Sequence, residues 1–286
     1  MGGAVAGLAI KIFADGADLD VIARASGDSR IAGFTTNPTL MRAAGVSDYR
    51  MFALAALKWA TGRPICFEVL ADDFPTMAAQ AREIASWGSN VYVKVPATNT
   101  LGEFCGSAIA ALSSAGVKLN VTAVMTLEQV ERVCDALAYR TPAIVSVFAG
   151  RIADTGRGPV PHAEQALRIL RSRPEIELLW ASPRELLNLF QADAIGCQII
   201  TLSADLLKNL ISSAAISAPI RAKPCSCSAA TRSLRDTTLP SRCACHCGSV
   251  RGLCLDHACS ESDRDRRACD LRRRPLQARR SGRPMR

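Results

Sequence analysis

NVYVKV, residues 90–95, places Val91, Val93 and Val95 on one face of an extended segment and Tyr92 and Lys94 on the other. Seven more short apolar runs surround it: LAIKIFA (8–14), IAGFT (31–35), PICFEVL (64–70), VKLNVTAV (117–124), AIVSVFA (143–149), IELLWA (176–181) and CQIITL (197–202). Stretches with helical spacing lie between them. In PTMAAQAREIASWG (75–88), Pro75 is expected to open the helix and Gly88 to close it. In TLEQVERVCDALAYR (126–140), Thr126 and Gln129 stand at capping-box spacing. Eight strands alternating with helices predict an α/β protein with a parallel sheet, and eight such units favour a closed (β/α)8 TIM barrel. An open doubly wound sheet is the competing architecture. No glycine-rich dinucleotide fingerprint follows the first run, which weighs against it.

The formal net charge of +9 suggests a nucleic-acid partner until it is divided along the chain. Residues 1–210 hold 19 Lys+Arg against 20 Asp+Glu, whereas residues 211–286 hold 16 against 6. Eight of the 12 cysteines also fall beyond residue 210. The sequence therefore predicts a nearly neutral barrel over 1–210 and a compositionally distinct tail over 211–286. No apolar run reaches the roughly 20 residues that a membrane helix needs. The opening MGGAVAGLAI lacks a basic start, so a cytoplasmic protein without membrane attachment is expected.

In barrels of this type the chemistry sits at the carboxyl ends of the strands. Reading those ends gives Asp15, Thr35 with Asn37, Glu68, Lys94, Asn120 with Thr122, Ser146 with Arg151, and Ser182 with Arg184. A polar or ionisable residue closes seven of the eight runs, and closure of the barrel would bring all seven to one rim. A lysine in mid-strand is costly unless solvated, paired or used, and burial disfavours the ammonium form of such a side chain. Lys94 is thus either a nucleophilic amine or a snorkelling strand-end lysine. Lys11 and Lys118, in the opening halves of their strands, point to the wrong rim and serve as controls. Each remaining residue has a plain structural use beside the chemical one. Asp15 suits a helix start near Ala17–Leu19. Glu68 suits a rim salt bridge, Asn37 before Pro38 suits an N-cap, and Arg151 or Arg184 alone suits a solvated surface.

These same residues carry a family resemblance. FADGADLD (13–20), GFTTNPTLM (33–41), FEV (67–69), YVKVPAT (92–98), LNVTAVMT (119–126), SVFAGRI (146–152) and WASPREL (180–186) resemble, in order, the motifs of the transaldolase family. The likeness spans about residues 10–210 and is nearest to the short transaldolases beside the fructose-6-phosphate aldolases. It implies a Schiff-base enzyme of carbohydrate metabolism that transfers a dihydroxyacetone unit between sugar phosphates of the pentose phosphate pathway. Lys94 would be the covalent nucleophile, and Asp15 would exchange the C4 hydroxyl proton. Glu68 would shuttle protons through a water held by Thr122. Asn37 and Asn120 would bind substrate hydroxyls. Arg151, Ser182 and Arg184 would bind the phosphate, helped by free backbone N–H groups at the following helix start, with Ser146 in support. Glu68 and Phe148 match the transferases, where the related aldolases place Gln and Tyr. No metal or organic cofactor is implied, because the iminium is the electron sink. The partners implied are sugar phosphates and further copies of the chain, with neither a membrane nor a nucleic acid.

The resemblance ends where the tail begins. From residue 211 the chain uses 15 Arg and one Lys with many Ser, Pro and Cys, the bias that an out-of-frame reading of a GC-rich gene produces. It is expected to be disordered. Two functional readings compete: a zinc cluster and a basic nucleic-acid arm. Cys225, Cys227, Cys243, Cys245, His246, Cys247, Cys254, His257 and Cys259 are spaced mostly as C-x-C, a poor match to paired C-x-x-C zinc ligation. RRACDLRRRPLQARRSGR has the charge for an arm. Two other readings stand beside the transferase: a fructose-6-phosphate aldolase-type enzyme that releases its product without an acceptor, and a barrel impaired by replacement of its C-terminal helices.

Overall fold

All eight apolar runs form strands in the computed structural model, which describes residues 7–214. The strands are β1 (Lys11–Asp15), β2 (Ile31–Thr35), β3 (Ile65–Glu68), β4 (Val91–Pro96), β5 (Leu119–Val124), β6 (Ala143–Val147), β7 (Ile176–Trp180) and β8 (Ile199–Ser203). Helices connect them: α1 (Leu19–Ser26), α2 (Pro38–Ala43), α3 (Tyr49–Ala60), α4 (Phe74–Ser86), α5 (Gly106–Ser114), α6 (Leu127–Ala136), α7 (Ala149–Asp154), α8 (Pro159–Leu170), α9 (Leu187–Ala194) and α10 (Ala204–Ala214). Every strand pairs in parallel with its sequence neighbours, and β1 pairs with β8, so the sheet closes into a (β/α)8 barrel.

Closure gives the molecule two apolar layers. Outward-facing strand residues such as Val91, Val93 and Val95 pack against the helices in one large core. Inward-facing Phe13, Cys66, Ile144, Leu179 and Ile199 form a second, smaller cluster that plugs the middle of the barrel. Gly33 makes room for that plug: it pairs with Phe13 across β1 and β2, and a Cβ there would lie 2.6 Å from the Phe13 ring. Polar side chains above the plug therefore face a cavity closed from below.

The element ends differ from the sequence reading in instructive places. The first strand starts at Lys11 rather than residue 8, because the N–H groups of Ala9 and Ile10 donate to the Asp193 carboxylate on α9 instead of joining the ladder. Helix α4 opens at Phe74, one residue before Pro75, with Asp73 as N-cap accepting from the Thr76 N–H at 2.9 Å. Trp87, rather than Gly88, is its C-cap. The Thr126–Gln129 capping box forms as expected, but α6 stops at Ala136 because Leu137 turns extended. The boundary expected at residue 210 falls inside α10, which continues to Ala214.

The chain divides into Met1–Ala222 and Lys223–Arg286. The second unit, and with it the cysteine cluster, the basic arm and the disorder expected there, lies outside the described residues. Among the described residues no helix is long and apolar enough to cross a membrane.

Candidate active site

The carboxyl ends of the strands enclose a cavity of about 480 Å³. Asp15, Asn37, Glu68, Lys94, Asn120, Thr122, Ser146, Phe148, Arg151 and Ser182 all line it. Of the twelve side chains singled out by the sequence, eleven thus meet in one place, Thr35 among them. Arg184 does not line it.

Lys94 projects inward from mid-β4 and is 8 % exposed. Its ammonium donates to the Thr36 carbonyl at 2.8 Å and pairs with Glu68 Oε2 at 2.8 Å. Adjacent strands set this pair, since Glu68 and Lys94 are register partners of β3 and β4. Glu68 is thus in an ion pair, but its partner is the candidate nucleophile rather than a surface cation. Tyr49, on α3, fixes the end of β3 by donating its hydroxyl to the Glu68 carbonyl at 2.8 Å.

Asp15 is not the cap of the helix that follows it. That part is taken by Asp18, whose carboxylate accepts from the N–H groups of Asp20 and Val21. Asp15 instead accepts a 2.7 Å hydrogen bond from the Thr35 hydroxyl, which lies 2.6 Å from the Thr201 hydroxyl. Burial pushes the Asp15 carboxyl above the usual carboxylate range, and the Thr35 hydrogen bond and the nearby Lys94 charge pull it partly back.

On the opposite wall Ser146 donates to Asn120 Oδ1 at 2.7 Å, and the Asn120 amide reaches Cys66 Sγ at 3.4 Å. Both Asn120 and Ser146 are buried. Burial in the apolar plug raises the Cys66 thiol to about 11, so it is a neutral partner at ordinary pH. Thr122 is buried at the cavity edge, where β5 shifts register between Val121 and Val124 and Ala123 takes a φ of 59°. Such a bulge re-aims neighbouring side chains. Asn37 is both a cap and a cavity residue: its Oδ1 accepts from the Leu40 N–H at 2.9 Å at the start of α2, which leaves its amide N–H groups for the cavity.

The anion-binding side departs most from expectation. Ser182 and Arg184 do not begin a helix, because α9 starts only at Leu187. The N–H groups of Arg184 and Glu185 are already taken by Asn188 Oδ1, at 2.8 and 3.2 Å. The Arg184 guanidinium is paired with Asp154, through Nη2 to Oδ2 and through Nε to Oδ1 at 3.2 Å. Arg151, exposed on the first turns of α7 and 6.0 Å from the centre of the Phe148 ring, lines the cavity. It and Lys94 are the cations of the lining. Gly150 lets these two loops meet: a Cβ there would lie 1.6 Å from the Ser182 carbonyl oxygen, and Ser182 itself takes a φ of 55°.

The controls behave as the barrel requires. Lys11 pairs with Glu177 below the plug, and Lys118 donates to the Ser89 carbonyl at 2.8 Å. No group of three or more His, Cys, Asp or Glu side chains suited to a metal ion occurs among the described residues. The four cysteines there are buried and free of disulfides. The sequence reading missed Thr201, Leu179 and Ala181, which also line the cavity. Thr201 is the fifth of six residues in CQIITL, and its inward alternation with Ile199 was the signal that could have found it.

Three comparisons bear on this arrangement. Residues 12–238 match the family model described as transaldolase/fructose-6-phosphate aldolase, a match that runs past residue 210. A protein of Dehalococcoides mccartyi named "Probable transaldolase" is 32 % identical over 203 residues, covering 71 % of this chain and 90 % of the relative. A second of that name, from Syntrophomonas wolfei, is 31 % identical over 204 residues, covering 71 % and 91 %. The fold is also that of an aldolase/citrate lyase family protein from Burkholderia cenocepacia, with a TM-score of 0.51 at 12 % identity, covering 71 % of this chain and 91 % of that one.

Proposed function

This chain belongs to the transaldolase/fructose-6-phosphate aldolase family, and from that premise we propose that it is a cytoplasmic transaldolase. It would transfer a dihydroxyacetone unit from a ketose phosphate, such as fructose 6-phosphate or sedoheptulose 7-phosphate, to an aldose phosphate. The observation that carries the reading is Lys94: a buried amine, held between the Thr36 carbonyl and Glu68, in a cavity that also presents Asp15.

In the proposed cycle the Lys94 amine, after giving a proton to Glu68, attacks the ketose carbonyl to form a carbinolamine. Glu68 returns a proton to the departing hydroxyl, with water held against Thr122, and the iminium forms. Asp15 then takes the C4 hydroxyl proton. The C3–C4 bond breaks, its electron pair moves into the iminium to give an enamine, and an aldose phosphate leaves. The enamine attacks the carbonyl of an incoming aldose phosphate, Asp15 returns its proton to the new hydroxyl, and hydrolysis frees Lys94. Asn37 and Asn120 bind hydroxyls, and Arg151 with Ser182 binds the phosphate. Arg184 contributes to that phosphate site only by leaving Asp154. Glu68 and Phe148, both in the lining, favour transfer over free cleavage.

The test is borohydride trapping with fructose 6-phosphate followed by peptide mass spectrometry. A reduced dihydroxyacetone adduct on Lys94 is expected, and a folded protein that gives none overturns the reading. Release of free dihydroxyacetone at an equal rate without an acceptor would make the chain an aldolase instead.

A further inference from the structure

Asp15 sits at the end of a chain of two hydroxyls that the proposed cycle does not use. Strand β1 pairs with β2 on one side and β8 on the other, with Asp15 opposite Thr35 and Phe13 opposite Thr201. This brings Thr201 to within 2.6 Å of Thr35, and Thr35 to within 2.7 Å of Asp15 Oδ1. A hydroxyl carries one proton, and an ionised carboxylate can only accept. The proton between Thr35 and Asp15 is therefore that of Thr35. Thr35 has none left to give, so the contact with Thr201 is made by the Thr201 proton.

We propose that Thr201 is a positioning residue for Asp15: by donating to Thr35 it commits the Thr35 proton to the carboxylate, keeping Asp15 ionised and aimed into the cavity. Each bond in such a chain polarises the next. Protonation of Asp15 at Oδ1 would reverse the direction, with Asp15 donating to Thr35 and Thr35 to Thr201. The Thr201 proton would then lose its place on Thr35 and have to turn to the cavity that Thr201 lines. The hydroxyl chain thus opposes the burial that favours the neutral acid. The other groups facing Asp15 are Lys94 on β4 and Glu68 and Cys66 on β3. Of these only Lys94 also favours the carboxylate.

The catalytic consequence rests on the transferase reading, but the titration of Asp15 does not. The experiment is a carbon-13 NMR titration of the full chain labelled at aspartate carboxyls, with the Asp15 signal assigned from Asp15→Asn. Thr201→Val is expected to raise the Asp15 midpoint by about half a pH unit. Thr201→Ser, which keeps the hydroxyl, should leave it in place. Thr35→Val should raise it by about one to two units. The acid limb of turnover should move to higher pH by the same amounts. Should Thr201→Val not fold, Thr201→Ala against Thr201→Ser makes the same comparison. An Asp15 midpoint that is equal in the hydroxyl-free and hydroxyl-bearing variants overturns the proposal, whatever the activity. A midpoint that moves in a protein unable to process ketose phosphates would leave the hydroxyl chain standing and remove the transferase reading alone.

Discussion

The barrel holds two lysine–glutamate pairs in its lumen, one at each end, and they have different uses. At the carboxyl end Lys94 meets Glu68 on the next strand, with the two side chains only 10 % and 19 % exposed. At the amino end Lys11 meets Glu177, at 43 % and 32 %. The plug of Phe13, Cys66, Ile144, Leu179 and Ile199 separates them. The upper pair shares a closed-bottomed cavity with Asp15, Thr122 and Arg151, so its charges are desolvated and within reach of a ligand. The lower pair is open to solvent. An ion pair becomes a reactive device through what surrounds it, and the upper end offers a cavity with other ionisable groups.

Substitutions sharpen that contrast. The largest effect is expected for Lys94→Met, which should abolish borohydride-trapped adduct and lower turnover by about four orders of magnitude. Full turnover in that variant would collapse the distinction between the two lysines. Asp15→Asn should cost about 10²–10⁴ in kcat, the usual worth of a general acid–base group, in a coupled transfer assay.

That second variant should also be more stable than the parent at neutral pH. The folded-state pKa of Asp15 lies above its unfolded value, so the folded protein binds more protons in between, and stability falls as pH rises through that window. Asn cannot titrate, so denaturant midpoints for Asp15→Asn should lose that slope. A slope unchanged from the parent would show that Asp15 is not the group responsible.

Arg151→Ala should raise KM for a phosphorylated ketose by about 10- to 100-fold, the worth of a charged hydrogen bond, with a smaller change in kcat. If instead Arg184→Ala gives the larger rise, the Asp154 pair opens on binding. The smallest effect is expected for Lys11→Met: turnover unchanged, and stability altered by about 1 kcal/mol or less, as for exposed pairs generally. Thermal unfolding and the transfer assay together check this.

Much of this contrast was legible before any fold was known. A lysine between alternating valines in VYVKV belongs to a strand whose other face is buried, and its place late in the run assigns it to the carboxyl rim. Lys11, early in its run, falls to the other rim by the same rule. Arg184 shows where the reasoning stopped. SPREL reads as a helix start with free N–H donors, yet Asn188, four residues after Arg184, accepts from two of those donors. Asp154, 30 residues before Arg184, takes the guanidinium. The second partner cannot be found from local spacing.

The sequence by itself determined the eight βα units, the inward face of each strand and the rim to which each polar residue belongs. Those properties follow from a side-chain period of two and from short-range capping, which act within a few residues. Only the tertiary structure decided which polar groups of different elements bond to one another. The Lys94–Glu68 pair, the Thr201–Thr35–Asp15 chain and the Arg184–Asp154 pair each join different elements. Their existence depends on the barrel's closure and register, because hydrogen bonds and ion pairs are decided by distances of a few ångströms between residues far apart in the chain.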